Sequence, residues 1–371
     1  MRLSAPTIWI SLVLLVPSLL GQKKGKDGDE ITQTLAALPD PPATITAEVT
    51  QLAFHVAPLS GKGLLSKQVE EALKAIQKQA KGGAIVKLRA FVAGTGDMRR
   101  VTSIVSEEFT KKQKPIPVVA VVRVGLLPLN GAQVVLEGVS VSKKTLNPNG
   151  LVFISGQAAR EAIDPASTKL QLAGVAAKSV DQLRTILTAH GTTPADVVRL
   201  TCMNSSLDDN DAVRQLMGGA FPAAVLNIVQ VQRVAADRMV ECEAVARLKS
   251  KPGQAVRIDN PTNAAFARAV EVGPGKVLFS AVQMTFGAED TDVRLAFTRL
   301  RNTLTAAGSG LDRVFYLTAY PVNGRMLDRY RALRFEFLDR AKAPASTNLA
   351  FEGLPSLDAT LGMEVMATVG N

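Results

Sequence analysis

Residues 64–80, "LLSKQVEEALKAIQKQA", place apolar side chains at Leu65, Val69, Leu73 and Ile76, the spacing of one helix face. A mostly apolar run, "AIVKLRAFVAG" (84–94), follows and reads as a buried strand. The amphipathic stretch "DMRRVTSIVSEEFTKK" (97–112) predicts a second helix, and "PIPVVAVVRVG" and "AQVVLEGVSV" predict two closing strands. The same order recurs twice. In the middle of the chain "AAKSVDQLRTILTAHG" leads to "DVVRLTCMN", "NDAVRQLMGGAFP", "AAVLNIVQVQRV" and "RMVECEAVARL". Near the end, "VRLAFTRLRNTLTAAG" leads to "DRVFYLTAYPV", "GRMLDRYRALRFEFLDRA", "PASTNLAFEGL" and "ATLGMEVMATV". Each copy is preceded by an opening strand: "QLAFHVAPL", "LVFISGQAA" and "KVLFSAVQM".

The pattern is one unit written three times. The helices ending "ILTAHG" and "TLTAAG" share a C-terminal Gly, a helix stop, so His190 is read as a helix-end residue rather than a metal ligand. Glu137, Glu243 and Glu364 hold matching places in the last strands, 106 and 121 residues apart. Strands alternating with such helices predict an α+β unit, a mixed sheet with two helices on one face. The other sheet face needs a partner. Three tandem copies would bury those faces against one another around a pseudo-threefold axis, giving a monomer that needs no further copy.

The expected divisions are a signal peptide (1–21), a linker (22–46) and repeats at 47–143, 144–250 and 251–371. The first division rests on Arg2, an apolar run from about Ile8 to Leu20, and Gly21. That run is too short for a good membrane span and contains Pro17, so export with cleavage is expected, leaving no stable span in the mature chain. Composition changes little: 47% hydrophobic and 20% charged residues are ordinary for a globular chain, and 5% aromatics imply an aliphatic core. The net charge of +10 invites a nucleic-acid reading, but the basic residues are scattered and stacking aromatics few, so none is expected. Cys202 and Cys242 could pair in an exported protein, with buried free thiols preferred. Two Cys and two His at no ligand spacing exclude a structural zinc site, and no metal or cofactor is expected.

In order, "VFISGQ", the following helix, "DVVRLTCMN", the "FPAA" before the next strand and "VECEAVA" resemble the RidA/YjgF family, also known as endoribonuclease L-PSP. The second copy matches nearly throughout, the third well and the first weakly, across about Ala47 to Val369. The resemblance implies a chorismate-mutase-like fold, a homotrimer here fused into one chain, and ligand clefts between units. It also implies hydrolysis of reactive 2-imino acids such as 2-iminobutanoate. An Arg after Pro-Ala would hold the carboxylate, and a last-strand Glu would position water.

That Arg is missing. Val119, Ala224 and Ser346 follow the three Pro-containing starts. The Ser-Gly turn survives as Ser155-Gly156, becomes Ser280-Ala281 in the third copy, and is Val56-Ala57 in the first. Losing one partner of a buried charge pair costs about 2–5 kcal/mol. The expected function is therefore a divergent small-ligand-binding or inactive member, with imine deaminase as the alternative and endoribonuclease as the second. The candidate catalytic residues are Glu137, Glu243 and Glu364. Candidate ligand contacts are Ser155, Gly156, Ser280, Ser346, Asn348 and Arg123, serving a small molecule in the clefts between units.

Overall fold

The computed structural model describes residues 38–261 and 264–370. The expected signal segment lies outside the described residues. The first third forms β1 (Thr44–Glu48), β2 (Leu52–Val56), α1 (Leu65–Gln79), β3 (Ala84–Val92), α2 (Arg99–Lys111), β4 (Val118–Arg123) and β5 (Val134–Val141). The middle forms β6 (Leu151–Glu161), α3 (Ala173–Ala189), β7 (Val197–Asn204), α4 (Asn210–Ala220), β8 (Val225–Gln230) and β9 (Arg238–Arg247). The remainder forms β10 (Val256–Asp259), β11 (Ala269–Val272), β12 (Lys276–Ser280), β13 (Gln283–Phe286), α5 (Asp290–Ala306), β14 (Val314–Pro321), α6 (Gly324–Leu333), β15 (Ala345–Asn348) and β16 (Ala359–Thr368). The last helix is shorter than the sequence pattern suggested, ending at Leu333 rather than Ala341.

These strands make three mixed sheets, in the orders β2-β5-β3-β4, β10-β11-β6-β9-β7-β8 and β1-β12-β16-β14-β15, with β13 also on β16. The pairs β3/β4, β7/β8 and β14/β15 are parallel, because α2, α4 and α6 carry the chain back between them; the other pairs are antiparallel. One apolar cluster lies between each sheet and its helix pair, formed for example by Ile76, Leu88 and Val105 in the first. Its counterparts hold Leu183, Leu200 and Val213, and Phe297, Leu317 and Tyr330. Two more clusters draw on all three sheets. One contains Phe54, Phe153, Phe279 and Phe315, the other Phe91, Met203, Tyr320 and Phe351. Both faces of each sheet are thus buried, at about 2–3 kcal/mol for each large side chain. Residues 38–371 form one compact unit that contains all five clusters.

Three sequence expectations need correction. The first concerns where the second unit ends: β11 pairs with β6 and β12 with β1, so Gly273-Pro274-Gly275 carries the chain from one sheet to the next. The start of the stretch read as a third repeat therefore completes the second sheet. The end of the stretch read as a linker, from Thr44, starts a strand of the third. Second, Ser155-Gly156 is not a turn: β6 continues to Glu161 through a bulge between Ile154 and Gln157. Third, Cys202 and Cys242 are not free thiols. Antiparallel pairing of β7 with β9 sets them directly opposite, Cα atoms 4.1 Å apart, and they form a disulfide.

Candidate functional site

Register explains where the three candidate glutamates go. Glu137 stands opposite Arg89, Glu243 opposite Thr201 and Glu364 opposite Thr318. Two residues earlier on the same strands, and hence on the same faces, stand Lys87, Arg199 and Tyr316. All turn away from the helices to where the sheets meet, and one buried network results. Arg89 donates Nε to Glu137 at 2.8 Å and Nη2 at 2.6 Å, and the same Nη2 donates to Glu243 at 2.7 Å. Arg199 donates to Glu243 at 3.0 Å, and the Tyr316 hydroxyl donates to its other oxygen at 2.8 Å. Lys87 pairs with Glu364, which also accepts from the Tyr320 hydroxyl at 2.6 Å. Thr201 and Asn227 donate to Glu137 at 2.7 and 2.8 Å.

The network holds Lys87, Arg89 and Arg199 against three carboxylates, so its formal charge is zero. Burial would raise the Glu243 carboxyl, but Arg89 and Arg199 overcome it and hold the group down at about 2. Burial lowers the Lys87 ammonium despite Glu364, and burial together with nearby glutamates raises both tyrosines well above their ordinary range. A cavity of about 40 Å³ lies among Lys87, Arg89, Glu137, Arg199, Tyr316 and Glu364. That is room for a few waters. The three glutamates are brought together, as ion-paired groups of the molecular centre.

Three of the candidate ligand contacts, Ser155, Ser346 and Asn348, meet elsewhere, between the second and third sheets; Ser280 and Arg123 do not join them. Ser155 is fully buried; its hydroxyl donates to the Ala267 carbonyl at 2.5 Å and accepts from the Ser346 N–H at 2.8 Å. The Ser346 hydroxyl donates to the Leu317 carbonyl at 2.8 Å and accepts from Asn348 Nδ2 at 2.7 Å. Asn348 Oδ1 is buried with no hydrogen-bond partner among the described residues. Ser280 accepts from the Val365 N–H at 2.9 Å and offers its carbonyl to Lys87, at the same distance. Arg123 ends β4 half-buried, joined through its backbone to Gly353, and its side chain bonds none of the glutamates. Register also shifts one equivalence. Ser346 stands opposite Leu317 as Leu226 stands opposite Leu200 and Val119 opposite Leu88, so the second-copy counterpart is Leu226, not Ala224. No Arg stands at either place.

Glu241 was missed from the sequence. It lies two residues before Glu243, on the same face of β9, with its carboxylate over Gly156. A Cβ at position 156 would come within about 2.2 Å of a Glu241 oxygen, so a larger residue there would displace that carboxylate. Burial pushes the Glu241 carboxyl up to about 7; Arg160, 4.0 Å away, and Arg331 offset this only in part, and Glu243 adds to it. The signal was present in "VECEAVA", whose first Glu is replaced by Val135 and Gly362 at the matching places of the other copies.

The two histidines are engaged apart from these groups. His55 Nε2 lies 2.7 Å from the Ser140 hydroxyl, and burial lowers its pKa. His190 caps α3 with its ring between Glu271, at 2.6 Å, and Asp259, at 3.2 Å. Among the described residues, no group of His, Cys, Asp and Glu is arranged to hold a metal ion. Among the same residues, no helix is long and apolar enough to cross a membrane.

Residues 139–248 match the family model described as Endoribonuclease L-PSP. Solved structures similar to part of the chain include a YjgF-family protein from Neisseria meningitidis, 14% identical. The match covers 31% of this chain and 96% of that one, at a TM-score of 0.25. A YjgF-family member from Mycobacterium tuberculosis is 18% identical over 31% of this chain and 99% of its own, TM-score 0.24. A Rid-family protein of unknown function from Yersinia pestis is 25% identical over 28% and 83%, TM-score 0.22. No curated protein matches the chain.

Proposed function

The chain belongs, through residues 139–248, to the RidA/YjgF (endoribonuclease L-PSP) family, and from that premise we propose that it is a divergent member that binds a small neutral polar ligand. Its three repeats act as an intramolecular pseudo-trimer, and the ligand sits between the second and third. Two clusters shared by all three sheets support that arrangement. The observation that carries the binding reading is the commitment of Glu137, Glu243 and Glu364 to buried cations. A carboxylate held by one or two guanidinium groups is a poor base for activating water. The ground around Ser155, where the second and third sheets meet, has a different character: it holds Glu241, buried over Gly156 and uncharged to near pH 7, and Asn348, whose buried amide oxygen has no partner among the described residues. A ligand donating N–H to Asn348 and accepting from protonated Glu241 satisfies both. Ser155 fastens the two sheets and leaves the recognition to its neighbours.

The test is calorimetric titration of the protein with 2-oxobutanamide and with 2-oxobutanoate at pH 6. Preferential binding of the amide, lost in Asn348→Leu, is expected. Preferential binding of the carboxylate would defeat the reading.

Imine hydrolysis is kept as a second reading because of Glu241 alone: a carboxyl poised near pH 7 beside a Ser-Gly bulge could exchange a proton with water. Ribonuclease chemistry gains nothing from the site, since His55 and His190 serve different sheets and partners. Export is favoured by the N-terminal sequence and by the Cys202–Cys242 disulfide, a bond typical of oxidising compartments.

A further inference from the structure

The first helical layer ends in a concentration of lysines that neither the fold nor the proposed ligand site requires. Lys78 and Lys81 lie at the end of α1, and Lys111, Lys112 and Lys114 at the end of α2, all exposed. The two ends adjoin, because Lys112 Nζ donates to Gln77 Oε1 at 2.9 Å. The turn after β5 adds exposed Lys143 and Lys144, with Lys143 Nζ about 3.9 Å from where a Cβ on Gly82 would be. Glu107 and Glu108 are the acidic residues in the last turns of α2. Glu108 is ion-paired with Lys112 at 2.9 Å and also feels Lys111 and Lys74.

Helix C-termini attract cations, but that explains one or two. The other repeats show what the fold itself asks for. After α3 and α5 the chain turns through Gly191 (φ 63°) and Gly308 (φ 74°); at the same place after α1 stands Lys81 at φ 49°. Gln113, after α2, is likewise left-handed at φ 52°. A lysine held where glycine is preferred costs stability and marks a side chain retained for another purpose. Three of the four counterpart ends carry Thr188-Ala189, Gly218-Gly219 and Thr305-Ala306, and the fourth, that of α6, carries an arginine, Arg331, and no lysine.

We propose that this lysine face docks on an anionic phospholipid bilayer. Lysines on flexible stems suit a diffuse field of phosphates, whereas specific phosphate or base recognition favours arginine forks and stacking aromatics. No arginine lies among these residues, and the aromatic ring beside them, Phe109, is buried.

The test is cosedimentation of the compact unit, residues 38–371, with vesicles of phosphatidylglycerol and phosphatidylcholine or of phosphatidylcholine alone. Binding is expected only with the anionic lipid, and should fall steeply between about 0.05 and 0.3 M salt. The K81E/K114E/K143E variant should lose at least about tenfold in partition. The charge-matched control K169E/K276E/R299E should lose little. Lys81→Gly, which relieves the left-handed lysine, should melt higher yet bind more weakly. Equal loss in both triple variants, undiminished binding by Lys81→Gly, or tighter binding to single-stranded RNA than to vesicles at the same salt would overturn the assignment.

Discussion

Glu241 and Glu243 point the same way from one strand, yet their environments drive them in opposite directions. Arg89 and Arg199 hold Glu243 ionised, whereas Glu241 feels Arg160, at 4.0 Å, and Arg331 too weakly to offset its burial, and burial decides its state. A folded-state pKa raised above the unfolded value means that the native protein holds its proton longer. The associated stability is complete below about pH 4.5 and is lost as the pH rises to about 7. Glu241→Gln should remove that slope and add about 1–3 kcal/mol at pH 8. Urea denaturation across pH 4–8 would measure it; an unchanged slope would show that Glu241 titrates normally. Glu243 carries the opposite sign, its stability being lost as the pH falls from about 4.5 towards 2. Strand alternation placed Glu137, Glu243 and Glu364 on one kind of face in the sequence. It could not show that Arg89, 154 residues before Glu243, would face it.

At the scale of elements, local pattern carried most of the information. The periodic apolar stretches became α1 to α6, and "DVVRLTCMN" and "RMVECEAVARL" became adjacent strands. Pairing across the chain was not local. The role of Gly273-Pro274-Gly275 as a link between two sheets depends on β6 and β1, far away in sequence. The disulfide has the same origin, since only the register of β7 against β9 brings Cys202 to Cys242. Closing that 40-residue separation should be worth about 2–4 kcal/mol. The Cys202→Ala/Cys242→Ala variant should therefore unfold at lower urea while keeping native circular dichroism. Unchanged stability would make the bond dispensable.

At the scale of the whole molecule, a charge-balanced network of Lys87, Arg89 and Arg199 with three glutamates lies apart from the contact of Ser155 with Ser346, where the proposed ligand would sit. The mixture of strands and helices was legible, because the apolar patterns of three stretches foretold three mixed sheets and six helices. The neutralised centre was not, because ion pairing between repeats depends on how three sheets converge. The most direct measurement is the hydrolysis of freshly generated 2-iminobutanoate by the purified compact unit, with Glu241→Gln alongside. The account predicts release of 2-oxobutanoate no faster than in buffer for both proteins. Acceleration by the wild type that disappears in Glu241→Gln would contradict it and make the cleft an imine-hydrolysing active site.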